Sequence, residues 1–568
     1  MKYINFKYPL LALLASMAIT ACEPDVELDQ VSPEEASGQA DFSVYVALGN
    51  SLTAGYADAA LNRQGQIWSY PAIMAERIQT IQPELTFNQP LLPEGVANGT
   101  RYIQSFNAAG TPVIVPVSNG LSAQQIYAPI SGTFQNLGVP GAKVGHLIMP
   151  GYGSSQGNPY FARFATSQAA TVVGMAADQD PTFFTLWIGN NDVLGYALAG
   201  GEADEITSPA DFEARYRAII NQLKDANPNI EGALANIPDI GGTPMFSQFP
   251  WNGLGPLSQE QASLLNAGFE AQLRNQVIRG VITEGARRQI IAAVAPQVVY
   301  QQARATMTEE EAQEFMQSPA GQAAINSLIT SLTNDEEPEA VNNLVVQNLN
   351  SEPVQAQIEQ NYQGALQADA AGQLAQALGE EGVAAVNANQ EAQLTQLRSA
   401  GFFPNFTEGM NPFLVEDENS PSTFRVARET DRILLSGVSN PAIFNPLEGR
   451  AILPGAYVLD ATEMAEIESA IEAYNNIIRT VANENTFALV DMNTFFDRVV
   501  SGGISEGGNT FTNAFVSGNA FSLDGVHLTP KGYALVARKF IDDINAYYGS
   551  SIPKPNLDRY PAVTFPGN

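Results

Sequence analysis

Apolar positions along this chain follow two different rhythms. Residues 42–48, a run rich in β-branched residues, and the short apolar runs 134–138, 182–188, 232–237 and 487–492 each read as a strand. Their apolar character is continuous rather than alternating, as in parallel sheets covered on both faces. Helical periodicity fills the spaces between them. Over 463–482, Met464, Ile467, Ile471, Tyr474, Ile478 and Val481 form one stripe, with Asp460 or Thr462 as the cap. Over 530–548, Thr529 caps, Pro530 takes the first position, and Tyr533, Val536, Ala537, Phe540, Ile541 and Ile544 face the core. Ser69-Tyr70-Pro71 ahead of Ile73, Met74 and Ile78 marks a further helix. The expectation is a three-layer α/β/α domain around a five-stranded, mainly parallel sheet.

Two stretches break this alternation. Residues 85–130 are rich in Pro, Gly and Asn with short runs such as Val113-Ile114-Val115, and read as a long loop over the sheet with room for a hairpin. From 260 to 405, Ala, Gln, Glu and Asn dominate and helix starts recur at Ser258 with Gln261, Thr308 with Glu311, and Ser318 before Pro319. This second stretch reads as a helical insertion, either an appendage, a lid or a docking surface. Phe402, Phe403, Phe406 and Phe413, crowded among Pro404 and Pro412, read as a satellite core.

The first residues are a targeting segment. Lys2 and Lys7 precede an apolar run too short to span a bilayer, and Ile19-Thr20-Ala21-Cys22 resembles a bacterial lipobox. Lipidation of Cys22 is the expectation, with the protein tethered to a membrane surface without crossing it. Residues 1–21 are then a signal peptide, 22–40 an acidic flexible tether, 41–259 and 406–568 the two parts of the main domain, and 260–405 the insertion. Cys22 is the single cysteine in the chain, so no internal disulfide forms.

Composition narrows the partners. Fifty-nine acidic against 27 basic residues leave a net charge of −32, which argues against nucleic acid and against adsorption to anionic lipid through a basic patch. Hydrophobic residues make up 45% of the chain, ample for a core.

Candidate chemistry starts at the end of the first strand. Gly49-Asn50-Ser51-Leu52 carries a serine into a small-residue turn, at the strand end where open α/β sheets bind ligands. The chain contains only two histidines, His146 and His527, so a base for Ser51 has two candidates. Asp524 lies three residues before His527, close enough for its carboxylate to reach Nδ1 and leave Nε2 for a nucleophile. His146 has no such acid and reads as a structural or rim residue; Asp192 reads as a structural partner in its own turn.

Gly49-Asn50-Ser51-Leu52, Asn136-Leu137-Gly138-Val139-Pro140-Gly141, Gly189-Asn190-Asn191-Asp192 and Asp524-Gly525-Val526-His527 together resemble, in order, the four motif blocks of the SGNH (GDSL) hydrolase family. The resemblance implies that family's flavodoxin-like fold, a Ser51, His527 and Asp524 triad, and an oxyanion hole of the Ser51 and Gly141 backbone N–H groups and the Asn191 side chain. One departure is Asn50, where the family usually has Asp. The implied activity is a serine esterase acting on acyl or acetyl esters through an acyl-enzyme. A carbohydrate O-deacetylase of the same fold, distinguished by the pocket around 85–130, is one alternative; a non-catalytic surface-binding lipoprotein is the other. Substrates would be small-molecule, glycan or lipid esters. Two histidines in separate motifs and no calcium-loop pattern give no metal site, and no cofactor is expected. With the lipobox, the expected place is the bacterial cell envelope, on the outer membrane.

Overall fold

In the computed structural model, side-chain alternation on the strands sorts the core into two layers. The structure describes residues 33–106, 112–334, 336 and 339–563; the signal segment and Cys22 lie outside the described residues. Strands β1 (Tyr45–Gly49), β2 (Asn136–Gly138), β3 (Phe183–Trp187), β4 (Glu231–Ala235) and β5 (Ala488–Val490) pair in the order β5-β4-β3-β1-β2. Every pairing is parallel, so the sheet is wholly parallel. Val46, Leu48, Phe184, Leu186 and Leu234 enter one apolar cluster. Tyr45, Ala47, Phe183, Trp187, Ala233 and Ala235 enter the other. This is the period-two alternation of a strand with both faces buried.

The helices follow their stripes. Next to the sheet are α1 (Ser51–Ala54), α2 (Tyr70–Ile78), α3 (Asn191–Leu198) and α4 (Pro209–Ala226). After them come α5 (Gln259–Arg304), α6 (Ala461–Asn485), α7 (Met492–Ser501) and α8 (Pro530–Tyr548). Helices α4 and α6 cover the first face, where Phe212 stacks on Tyr474 at 4.0 Å. Helices α2, α7 and α8 cover the second, where Tyr70 stacks on Phe540 at 4.7 Å. Asp460 caps α6 in a capping box with Glu463, and the Thr529 hydroxyl accepts the Gly532 N–H at the start of α8. Between β1 and β3 the strand order reverses direction, which opens a crevice at the carboxyl ends of the strands.

Residues 101–106 and 112–116 form an antiparallel hairpin within the long loop. On either side of the hairpin the loop contributes Leu92, Ala97, Leu121 and Ile126 to a small apolar cluster with Ala54 and Leu61. The stretch rich in Ala and Gln is helical. Ser258 and Gln261 cap the 46-residue α5, and the starts at Thr308 and Ser318 cap the helices Glu309–Gln317 and Pro319–Thr333. Its helices share a cluster in which Phe269, Leu273 and Ile278 pack with Phe403, Phe406, Phe413, Leu414 and Val458. The aromatic crowding around 402–413 is thus core, and the packing of the helical excursion continues past 405 into the short strands that follow. No described helix is long and apolar enough to cross a membrane.

Candidate active site

Two glycines let the turn that carries Ser51 form. A Cβ on Gly49 would meet Thr53 Oγ1 at 2.1 Å and the Trp187 carbonyl oxygen at 2.5 Å, and one on Gly138 would meet the Ala54 nitrogen at 2.3 Å. With neither Cβ present, α1 sits directly on the ends of β1 and β2. Asn50 caps it through Oδ1, which accepts the Leu52 N–H at 3.0 Å. Ser51 is then the first helical residue, so its own N–H has no acceptor within the helix.

The second histidine arrives from the other end of the chain. The 521–528 segment closes on itself through a Phe521–Leu528 bridge and the Ser522 N–H bond to the His527 carbonyl at 2.8 Å. Inside that loop Asp524 Oδ1 accepts the N–H groups of Val526 (2.9 Å) and His527 (2.8 Å), while Oδ2 lies 3.0 Å from His527 Nδ1. His527 Nε2 is 2.9 Å from Ser51 Oγ. Burial works against a charge on Asp524, but His527 and the two backbone N–H groups outweigh it and hold the carboxyl well below the usual range. An ionised carboxylate only accepts, so Nδ1 carries the proton and Nε2 is free to accept from the serine hydroxyl. The Tyr56 ring packs on the imidazole at 4.5 Å, and the Tyr533 hydroxyl donates to the Tyr56 carbonyl at 2.6 Å. Helix α8 thereby anchors the residues on both sides of the histidine.

Around the serine, Gly141 turns with φ 79°, a left-handed value that suits glycine. Asn191 begins α3, and its Nδ2 donates to the Ala142 carbonyl at 2.9 Å, which ties the Gly141 turn to α3 and leaves a second N–H on the amide. Asn50 Nδ2 donates to Asn190 Oδ1 at 3.1 Å, so the residue that departs from the family pattern has an amide partner one position before Asn191. Asp192 is fully buried; it accepts from the Val144 N–H (2.9 Å) and the Thr207 hydroxyl (2.7 Å), and burial pushes its carboxyl up to about 6. His146 stands apart: its Nδ1 accepts the Lys143 N–H at 3.0 Å and its ring stacks on Tyr152 at 4.5 Å. Burial, with Lys143 and Arg215, lowers its pKa.

Beside Ser51 lies a hollow of about 50 Å³, walled by Leu52, Trp187, Leu194, Ile240, Phe496, Val500, Phe521, Val526 and Leu528, with Asn190, Asn191 and His527 at its polar end. Neither the 85–130 loop nor the helical insertion supplies a lining residue. The pocket around 85–130 that would single out an O-deacetylase is therefore not this hollow, and the hairpin approaches the site at Asp58 and Leu523. There the Arg101 N–H bonds the Asp58 carbonyl at 2.7 Å and Arg101 Nη1 bonds the Leu523 carbonyl at 3.2 Å. Sequence reasoning missed Tyr56, Asp58 and Asn190. Nothing in the local pattern marks Tyr56 and Asp58, and Asn190 sits in a marked block without a role of its own; the juxtaposition of 50–60 with 190 and 522–527 reveals all three.

The GDSL-like Lipase/Acylhydrolase family model matches residues 45–317. That span includes Ser51, Gly141 and Asn191, whereas Asp524 and His527 lie beyond its end. No curated protein and no solved structure matches the chain.

Asn50→Ala removes both the helix cap and the amide partner of Asn190. We expect a loss of about 2 kcal/mol in urea unfolding, roughly half from the cap and half from the orphaned amide.

Proposed function

The chain belongs to the SGNH/GDSL hydrolase family and is a hydrolase acting on esters, and from this premise we propose that it is a serine esterase in which Ser51, His527 and Asp524 carry the chemistry. The observation that supports this reading most directly is the continuous line from Asp524 Oδ2 through His527 to Ser51 Oγ, with links of 3.0 and 2.9 Å. In the first half-reaction Ser51 Oγ attacks the ester carbonyl while its proton passes to His527 Nε2. Asp524 holds the imidazole in the right tautomer and stabilises its positive charge. The oxyanion receives hydrogen bonds from the N–H groups of Ser51 and Gly141 and from Asn191 Nδ2. Collapse of the tetrahedral intermediate expels the alcohol, which takes the proton from His527, and leaves an acyl group on Ser51. Water, deprotonated by His527, then attacks that acyl group and releases the carboxylic acid.

The walls of the hollow are mostly apolar, with Asp239 and Thr243 among them, and favour an acyl chain over a sugar ring, most of whose hydroxyls would lose their water there without finding partners. We therefore place the acyl part of the substrate between Ile240, Phe496 and Val500, ahead of the O-deacetylase reading. The lipid anchor on Cys22 and a cell-envelope location belong to this proposal on the strength of the lipobox-like sequence alone.

Labelling by a fluorophosphonate probe will be lost in Ser51→Ala, reduced at least a hundredfold in His527→Ala and unchanged in His146→Ala. Asn191→Ala will lower kcat by about 10²–10³. A probe that labels Ser51→Ala as well as wild type would sink the assignment. In a series of nitrophenyl esters, Val500→Trp will fill the hollow and move the preferred chain toward acetate; an unaltered preference would put the acyl chain elsewhere. Cys22→Ser will abolish incorporation of a radiolabelled fatty acid in a bacterial host and release the protein from membranes.

A further inference from the structure

The turn that follows the nucleophile helix carries a second carboxylate that the reaction described above does not use. Asp58 and Ala59 both adopt left-handed backbone angles, φ 55° and 69°, although neither is glycine. Such a conformation is costly for alanine and persists only where the surroundings hold it. Here they do. The Asp58 N–H donates to Ser522 Oγ at 3.0 Å, Asp58 Oδ1 accepts the Leu523 N–H at 2.9 Å, and the Ala59 N–H donates to Asp524 Oδ2 at 2.9 Å. The same turn is braced from outside by Arg101, and the Tyr56 hydroxyl closes it on the Ala59 carbonyl at 2.6 Å. Three consecutive residues of the distant loop, 522 to 524, are therefore each gripped by Asp58 or Ala59.

We propose that Asp58 is a positioning residue for the reaction: its carboxylate sets the Leu523–Asp524 segment so that Asp524 meets His527, and its charge adds a second anion behind the imidazole. The inference rests on the triad reading above. Every group that faces Asp58 bears on the second half of it. Asp524 and His527 approach from the 521–528 loop, Arg101 from the hairpin, and Tyr533 from α8. Burial raises the Asp58 carboxyl to about 6 and Asp524 adds to this, against the Leu523 N–H, His527 and Arg101. Burial raises Tyr533 well above its ordinary range, so this phenol stays neutral wherever Asp58 titrates. Asp58 is thus neutral in mild acid and anionic at neutral pH, where it adds a second negative charge to that of Asp524.

The sign of the effect follows. Taking the charge away makes the neutral, base-competent imidazole easier to reach, so the acidic limb of the rate profile moves to lower pH. The test is the second-order rate of fluorophosphonate labelling of the full chain between pH 4.5 and 9, for wild type, Ser51→Ala, Asp58→Asn and Asp58→Ala. The asparagine keeps an oxygen for the Leu523 N–H. We expect its alkaline plateau to stay within about threefold of wild type while the acidic limb shifts down by about half a pH unit. The alanine orphans that N–H, and its plateau should drop about tenfold or more. On a nitrophenyl ester the same variant should lose kcat with little change in KM. An Asp58→Asn limb superimposed on wild type, or an Asp58→Ala plateau equal to wild type, would overturn the proposal. Should the alanine variant fail to fold by near-ultraviolet circular dichroism, the asparagine limb decides alone. Labelling that does not depend on Ser51 would instead bring down the triad reading and this inference with it.

Discussion

A carboxylate withdrawn from water is the constraint that shapes this site. Asp524 is 6% exposed, and an ion so placed is tolerable only if its lone pairs are filled. Four donors fill them: the N–H groups of Val526, His527 and Ala59, and the imidazole Nδ1. Each imposes a demand elsewhere. The first two bend the 524–527 segment into one tight turn. The third forces the 56–60 turn into left-handed angles and brings it against that segment. The fourth aims the imidazole at Ser51. Much of the geometry around Ser51 is the set of conditions under which one buried negative charge is satisfied.

Much of the scaffold is legible in the chain because it depends on local rules. The two-residue alternation within β1, β3 and β4, the caps at Ser258, Thr308, Asp460 and Thr529, and the stripes of α6 and α8 are each decided within a few residues. The candidate site was legible to the degree that its residues sit in compact motifs. Ser51, Gly141, Asn191, Asp524 and His527 are marked by near neighbours, and the structure brings these five into one region. Asp58 was invisible for the opposite reason. Its partners are Ser522, Leu523 and Arg101, the first two more than 460 positions away, and no pattern in Ala57-Asp58-Ala59 announces them. Asn190 was missed because its value lies in a pairing with Asn50, itself the departure from the expected residue.

The long helical excursion shows where local rules reach their limit. Caps at Ser258, Thr308 and Ser318 announce its helices, but not what buries them. Phe269 packs on Phe403, Phe406 and Phe424, so the apolar faces of α5 and of the segment after 405 complete one another. A helix stripe says which side is covered; it does not name the cover.

The bond from the Tyr533 hydroxyl to the Tyr56 carbonyl spans 477 positions in sequence, and its consequence is temporal. A ribosome that has made the first half of this sequence has already produced Ser51, the Gly141 turn and Asn191, but Asp524, His527 and α8 emerge only some 330 residues after Asn191. The nascent chain therefore holds Ser51 long before His527 and Tyr533 exist to pack against its turn. The packing around Ser51 is deferred until segments more than 460 positions apart have met.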